Sequence, residues 1–187
     1  VYLYAQHEVL KDQIAAREKA GVLPLFEHLA DKVVDGPNGP MIIGHTVAGE
    51  AFEIEADFVI GADGSASWTR EYVTGERYSG YFREYPFGWY GILTEAPPSH
   101  DELIYSRSDE GFVLISTRDE HIQRMYFQCD PDMDVNEVND EQIWDKLQAG
   151  VHGIELRKGP IFRKDVLKFR SYVHNALRKN RVLLAGD

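Results

Sequence analysis

The chain has a single cysteine, Cys129. No internal disulfide can staple it, which fits a reducing, cytoplasmic setting. No apolar run approaches the ~20 residues that a membrane span needs. No basic-then-apolar leader is visible at Val1. Positive charge is short: 20 Lys and Arg stand against 31 Asp and Glu, a net charge of −11. That balance argues against nonspecific binding to nucleic acid or to an anionic membrane. The seven histidines are scattered, none at metal-ligand spacing with another His or Cys, so no metal site is expected. There is no G-x-S-x-G, and Cys129 has no assigned histidine base, which leaves covalent nucleophilic catalysis unsupported. The G-x-G-x-x-G that marks a dinucleotide site after a first strand is also missing.

What is present is a chain of 187 residues, enough for one domain or two small ones. It opens without Met inside apolar, strand-like sequence (VYLYA) and closes in RVLLAGD, so it reads as an internal piece of a longer protein. Residues 7–20 predict a helix with Val9, Leu10, Ile14 and Ala15 on one face and Gly21 as its stop. Leu23–Val34, MIIGHT and AFEIEA predict a small antiparallel meander around Asp35-Gly36 and Asn38-Gly39. DFVIG is a short apolar run suited to a strand buried on both faces. The segment after it predicts a helix start capped by Ser65 or Ser67. Composition shifts near Tyr78. From there to Gln128 four aromatic-rich segments with short turns predict an antiparallel sheet. An acidic turn region at 130–139, an amphipathic helix at 140–150, two strands within 160–173 and a last strand RVLLA follow. The pattern is α/β, of the α+β kind.

Two features point toward chemistry. FVIGADG and RVLLAGD are apolar runs ending in Asp63-Gly64 and Gly186-Asp187. Such ends can set a carboxylate beside a nucleotide, with Gly allowing close backbone approach. They are also ordinary strand-to-turn junctions. The second feature lies on three successive predicted strands: Tyr105, then Ser116 and Arg118, then Arg124 and Tyr126. Positions two apart share a face of a strand. Paired, these strands would gather guanidinium, hydroxyl and phenol groups into a patch for a small aromatic acid, since the Arg fork matches a carboxylate. The same spacing occurs on exposed strands with no ligand.

The residues also carry a resemblance. YAQHEV at 4–9, REKAG, IGADGSAS, YPFGWYGIL at 85–93, ELIYS at 102–106, LISTR at 114–118, RMYFQ at 124–128, LKFRSYV at 167–173 and the final LLAGD run the length of the chain. Together they resemble the class A flavin-dependent aromatic monooxygenases, in their hydroxybenzoate-hydroxylating branch.

The resemblance implies part of an FAD-binding Rossmann-like domain at 1–78, an antiparallel-sheet substrate domain at 79–178, and a return strand at 179–187. It implies FAD as cofactor, NADPH or NADH as reductant, O₂ and a phenolic aromatic acid as substrates, and it admits a homodimer. By motif, Tyr105 contacts the substrate phenol and helps its ionisation. Ser116 and Arg118 grip its carboxylate with Thr117 at the pocket wall, and Tyr126 completes that site. Gln6, Asp63, Gly64, Arg124 and Asp187 fall on positions near FAD, and Arg70 and Arg170 on the pyridine-nucleotide surface. Two departures stand out. The first βαβ unit with its phosphate-binding glycines is absent, and Ala66 replaces a His often found there.

Overall fold

The computed structural model describes residues 3–76 and 78–186. In chain order the elements are α1 (Gln6–Lys19), β1 (His28–Asp35), β2 (Pro40–Thr46), β3 (Ala51–Glu55), β4 (Val59–Gly61), a 3-10 turn (Gly64–Ala66) and α2 (Thr69–Thr74). Then come β5 (Gly80–Glu95), β6 (Ile104–Ser108), β7 (Gly111–Thr117), β8 (Ile122–Cys129), α3 (Asp140–Ala149), β9 (Ile161–His174), β10 (Arg178–Lys179) and β11 (Val182–Leu184). This is the mixed α/β architecture expected of the sequence. Among the described residues no helix is long and apolar enough to cross a membrane.

The chain forms two compact units. The first holds the stretch to Lys19 and Glu84–Arg170; the second holds Ala20–Arg83 and the stretch from Ser171 on. The division falls inside β5 and β9 and groups α1 with the first unit.

The first unit is built on a five-stranded sheet in the order β6-β7-β8-β5-β9. One face is its core. Tyr90, Ile92, Val113, Ile115, Met125 and Phe127 pack with Ile143, Trp144 and Leu147 of α3. Side chains alternate along a strand, so these residues sit two apart in β5, β7 and β8. Tyr90 stacks flat on Phe127 at 4.9 Å and donates to the Val135 carbonyl at 2.6 Å. Asn139 caps α3 in a reciprocal box with Gln142, a device worth about 1 kcal/mol.

The second unit holds the meander β1-β2-β3 and a small sheet β10-β11-β4, in which β11 and β4 run parallel. Val33, Val59, Val73 and Val182 form its core.

Several expectations change. The strand expected from Leu23 begins only at His28. Pro24 lacks a backbone donor, Phe26 N–H turns back to its carbonyl, and Glu27 takes a positive φ of 60°. The two strands expected within 160–173 are one, β9, because no Gly or Pro interrupts Ile161–His174. The helix α1 forms, yet buries none of its residues. In β4 only one face is covered: Val59 is buried and Ile60 exposed. The N-cap position of α2 is Trp68 and not Ser65 or Ser67; Ser67 Oγ nonetheless accepts from Arg70 N–H at 3.3 Å, and the carboxylate of Asp63 takes the Trp68 and Thr69 amides.

Candidate functional site

The sheet of the first unit has a second face, opposite its core. Register fixes what stands there. Tyr105 lies opposite Leu114, Leu114 opposite Tyr126, and Tyr126 opposite Gly91. In the next row Ser116 lies opposite Arg124, and Arg124 opposite Leu93. Cross-strand partners share a face, so Tyr105, Ser116, Arg124 and Tyr126 are brought together. Trp89 joins them and meets Tyr126 edge-on at 5.1 Å. Phe112 packs between Trp89 and Tyr105, at 5.2 and 5.8 Å.

Arg124 lies 4.7 Å over the Tyr126 ring. Burial, then the like charge of Arg118, pushes its guanidinium below the ordinary Arg range. The charge of Arg118 is thus felt at Arg124, partly offset by Asp165, and net positive charge at one end of an aromatic face suits an anion bonded to an apolar ring. Ser116 Oγ donates to the Arg124 carbonyl at 3.0 Å. Arg118 follows the end of β7, its N–H bonded to the Ile122 carbonyl. Thr117 alternates away from Ser116 and pairs with buried Gln123. With Arg118 it lines a separate depression beside Pro98, His100 and Asp101. Tyr105 is 62% exposed, so its phenol is open to a ligand.

The second unit builds a different place. Leu184 of β11 lies beside Gly61 of β4, so the two strand ends noted in the sequence emerge together. They line a cavity of about 290 Å³ with Asp63, Gly64, Ser67, Arg70, Tyr172, His174, Ala185 and Gly186 among its walls. Gly64 and Gly186 take φ of 71° and 82°, where a side chain would be strained. Asp187 lies outside the described residues. Asp63 Oδ2 accepts from Trp68 N–H and Thr69 N–H at 3.1 Å each and from Thr69 Oγ1 at 2.9 Å. Burial alone would raise this carboxyl. Hydrogen bonds from Ser67 and from the Thr69 backbone and hydroxyl outweigh it and hold it below the usual range.

Arg70 is 7% exposed. Its Nη2 donates to the Ser65 carbonyl at 2.5 Å, and its head lies 4.9 Å over the Tyr172 ring. Among the described residues no carboxylate pairs with it, and its Nε is buried without an acceptor. A buried cation lacking a counter-charge beside two positive-φ glycines fits a phosphate-bearing group.

Gln6 opens α1 and is exposed; Arg170, in β9, is exposed as well. Gln6, Arg124 and Arg170 belong to the first unit, Asp63, Gly64 and Arg70 to the second. Sequence reasoning missed Trp89, Gly91 and Phe112 on the aromatic face, and Tyr172 and His174 beside Arg70. The first two follow the same two-residue period as Leu93. Nothing in the spacing ties Tyr172 to a residue a hundred positions earlier.

The chain is 35% identical over 190 residues to the p-hydroxybenzoate hydroxylase of Acinetobacter baylyi. The match covers all of this chain and 47% of that protein, so the chain spans about half the length of that relative. The fold matches aklavinone-11 hydroxylase in complex with FAD and aklavinone, with a TM-score of 0.75 at 16% identity over 98% of this chain and 36% of that one. It also matches the p-nitrophenol 4-monooxygenase PnpA of Pseudomonas putida, with a TM-score of 0.72 at 17% identity over 99% of this chain and 47% of that one. The family model described as the FAD binding domain matches residues 1–187, and the chain belongs to that FAD-binding family.

Proposed function

We propose that the protein is a flavin-dependent monooxygenase that hydroxylates a phenolic aromatic acid, with 4-hydroxybenzoate converted to 3,4-dihydroxybenzoate. The observation that carries this reading is the aromatic face of Tyr105, Trp89 and Tyr126 with Arg124 over the Tyr126 ring and the charge of Arg118 acting on it. The relative from Acinetobacter baylyi supports the choice of substrate.

The family binds FAD. When bound, it supplies the redox chemistry that activates O₂. One oxygen atom enters the ring, the other leaves as water, and NADPH or NADH provides two electrons. Gln6, Asp63, Gly64, Arg124 and Asp187 are the residues we assign to FAD, and Arg70 and Arg170 to the pyridine nucleotide. Arg118 and Ser116 hold the substrate carboxylate. To donate to it, the Ser116 hydroxyl turns from the Arg124 carbonyl. Tyr126 closes that end. Tyr105 accepts or relays the phenol proton. A free phenol has a pKa of about 10, and its anion is the more electron-rich ring, so moving this proton prepares the ring for attack. The apolar walls keep water out.

The test is direct. Purified intact protein should be yellow. It should oxidise NADPH or NADH when given 4-hydroxybenzoate and release 3,4-dihydroxybenzoate, identified by chromatography. Product from 3-hydroxybenzoate in its place would reassign the substrate. A colourless protein that still binds 4-hydroxybenzoate would be a binding module.

A further inference from the structure

Tyr172 and His174, which line the cavity of the second unit, belong to a hydrogen-bonded chain that the proposed hydroxylation does not use. His174, 8% exposed, has both ring nitrogens engaged: Nδ1 with Tyr172 Oη at 2.5 Å and Nε2 with Thr74 Oγ1 at 3.2 Å. Tyr172 Oη also accepts from Ser79 N–H at 2.9 Å and faces the Ser79 carbonyl at 3.2 Å. Thr74 Oγ1 has the carbonyls of Glu76 at 2.8 Å and Arg70 at 3.2 Å as acceptors.

These contacts leave a hydrogen-bonding partner for each group in either protonation state. With neutral His174 the Tyr172 hydroxyl donates to Nδ1, Nε2–H donates to Thr74 Oγ1, and Thr74 donates onward to a carbonyl. With charged His174 both ring nitrogens donate. The Tyr172 oxygen then accepts from Nδ1–H and from Ser79 N–H, and its hydroxyl swings to the Ser79 carbonyl. No donor is stranded in either arrangement.

We propose that the cavity beside Arg70 binds a phosphate group and that His174 becomes its second cation, taking up a proton as the phosphate arrives by reversal of the Tyr172 hydroxyl onto Ser79. Burial, and then the charge of Arg70, hold the free imidazole below its ordinary value. Among the described residues Arg70 is the one charged group acting on His174; Asp63 lines the same cavity with its carboxylate bound to α2. A phosphate cancels the Arg70 charge and so removes the repulsion that kept His174 neutral. By linkage, binding tightens as pH falls through the window between the free and bound imidazole values, up to about tenfold per pH unit. Tyr172 is a positioning residue here: its ring supports Arg70 and its hydroxyl follows the proton.

Two carriers have this chemistry, the pyrophosphate of the pyridine nucleotide and that of FAD. The choice of the former rests on the proposed function; the proton uptake does not. The experiment follows the His174 ring protons by NMR from pH 5 to 8 in intact protein, FAD-free, FAD-loaded, and FAD-loaded with NADP⁺. Titration below the ordinary value of about 6.5 in the FAD-free protein and a rise with NADP⁺ are expected. A rise on FAD loading with none from NADP⁺ would support the site and assign the phosphate to the flavin. A titration that neither moves would overturn the proposal. His174→Gln should flatten the pH dependence of NADP⁺ affinity, measured by calorimetry. Tyr172→Phe, which keeps the ring under Arg70, should shrink it. Pyridine-nucleotide binding as pH-dependent in His174→Gln as in the native protein would overturn the assignment. Absence of hydroxylation beside a shifted His174 would sink only the proposed reaction.

Discussion

The ring of Tyr126 occupies the space that a side chain on Gly91 would need. A Cβ there would stand 2.5 Å from Tyr126 Cε1 and 2.9 Å from Cδ1. Trp89 meets the same ring edge-on and Arg124 covers it, so the ring has little room to retreat. Gly91→Ala should therefore displace Tyr126 and cost about 1–3 kcal/mol, the usual range for overpacking. Urea denaturation would measure the loss, and titration with 4-hydroxybenzoate would show weakened binding. A variant as stable and as tight-binding as the native protein would remove Tyr126 from the site.

Much of this arrangement is legible in the amino-acid order. The four aromatic segments between Tyr78 and Gln128 alternate with period two and are separated by short turns, so their pairing and the shared face of Ser116 with Arg124 follow from register. Asp63-Gly64 and Gly186 sit at the ends of apolar runs, and parallel pairing of β4 with β11 makes them neighbours. Other features depend on tertiary context. Leu23–Glu27 is apolar enough for a strand, but one proline and one left-handed residue decide otherwise. Arg70 looks like any helix arginine in the sequence; its burial comes from Tyr172, placed under it by the end of β9. The patch of Tyr105, Ser116, Arg124 and Tyr126 is legible because β6, β7 and β8 pair in chain order, whereas β5 joins it across two intervening strands and the Arg70 cavity joins segments a hundred residues apart.

Arg118→Ala should weaken aromatic-acid binding by orders of magnitude. The bound carboxylate would lose its charge partner while Arg124 remains engaged with Tyr126. Removing one side of a desolvated, hydrogen-bonded charge pair costs roughly 2–5 kcal/mol. Perturbation of the flavin absorbance during titration reads the affinity. A Kd close to the native value would mean that the carboxylate binds elsewhere. Arg118→Lys should recover only part of the loss, because an ammonium cannot form the two-pronged contact.

Tyr105→Phe separates binding from chemistry. The ring packs against Phe112 and would be kept; only the hydroxyl is lost. Substrate affinity should change little. Hydroxylation should slow, and more NAD(P)H should be oxidised without product. Comparing reductant consumed with dihydroxybenzoate formed measures this coupling. Unchanged coupling would remove Tyr105 from proton transfer and leave it a wall of the site.

Asp63 should govern part of the acid stability of the second unit. Its carboxyl is held below the usual range by donors from Ser67 and Thr69, despite burial acting the other way. The folded state therefore binds this proton less readily than the unfolded chain, whose carboxyl titrates at about 3.9. The stabilisation is complete above that value and is lost as pH falls through the lower, folded one. Asp63→Ala removes the acceptor for Trp68 N–H, Thr69 N–H and Thr69 Oγ1 and should cost about 1 kcal/mol at neutral pH, as loss of a capping group does. Asp63→Asn keeps an acceptor but cannot titrate. Its stability should consequently fall less steeply than that of the native protein between pH 5 and pH 3, followed by urea denaturation with tryptophan fluorescence as the probe. Parallel acid limbs for the two proteins would show that the Asp63 hydrogen bonds contribute nothing to the pH dependence.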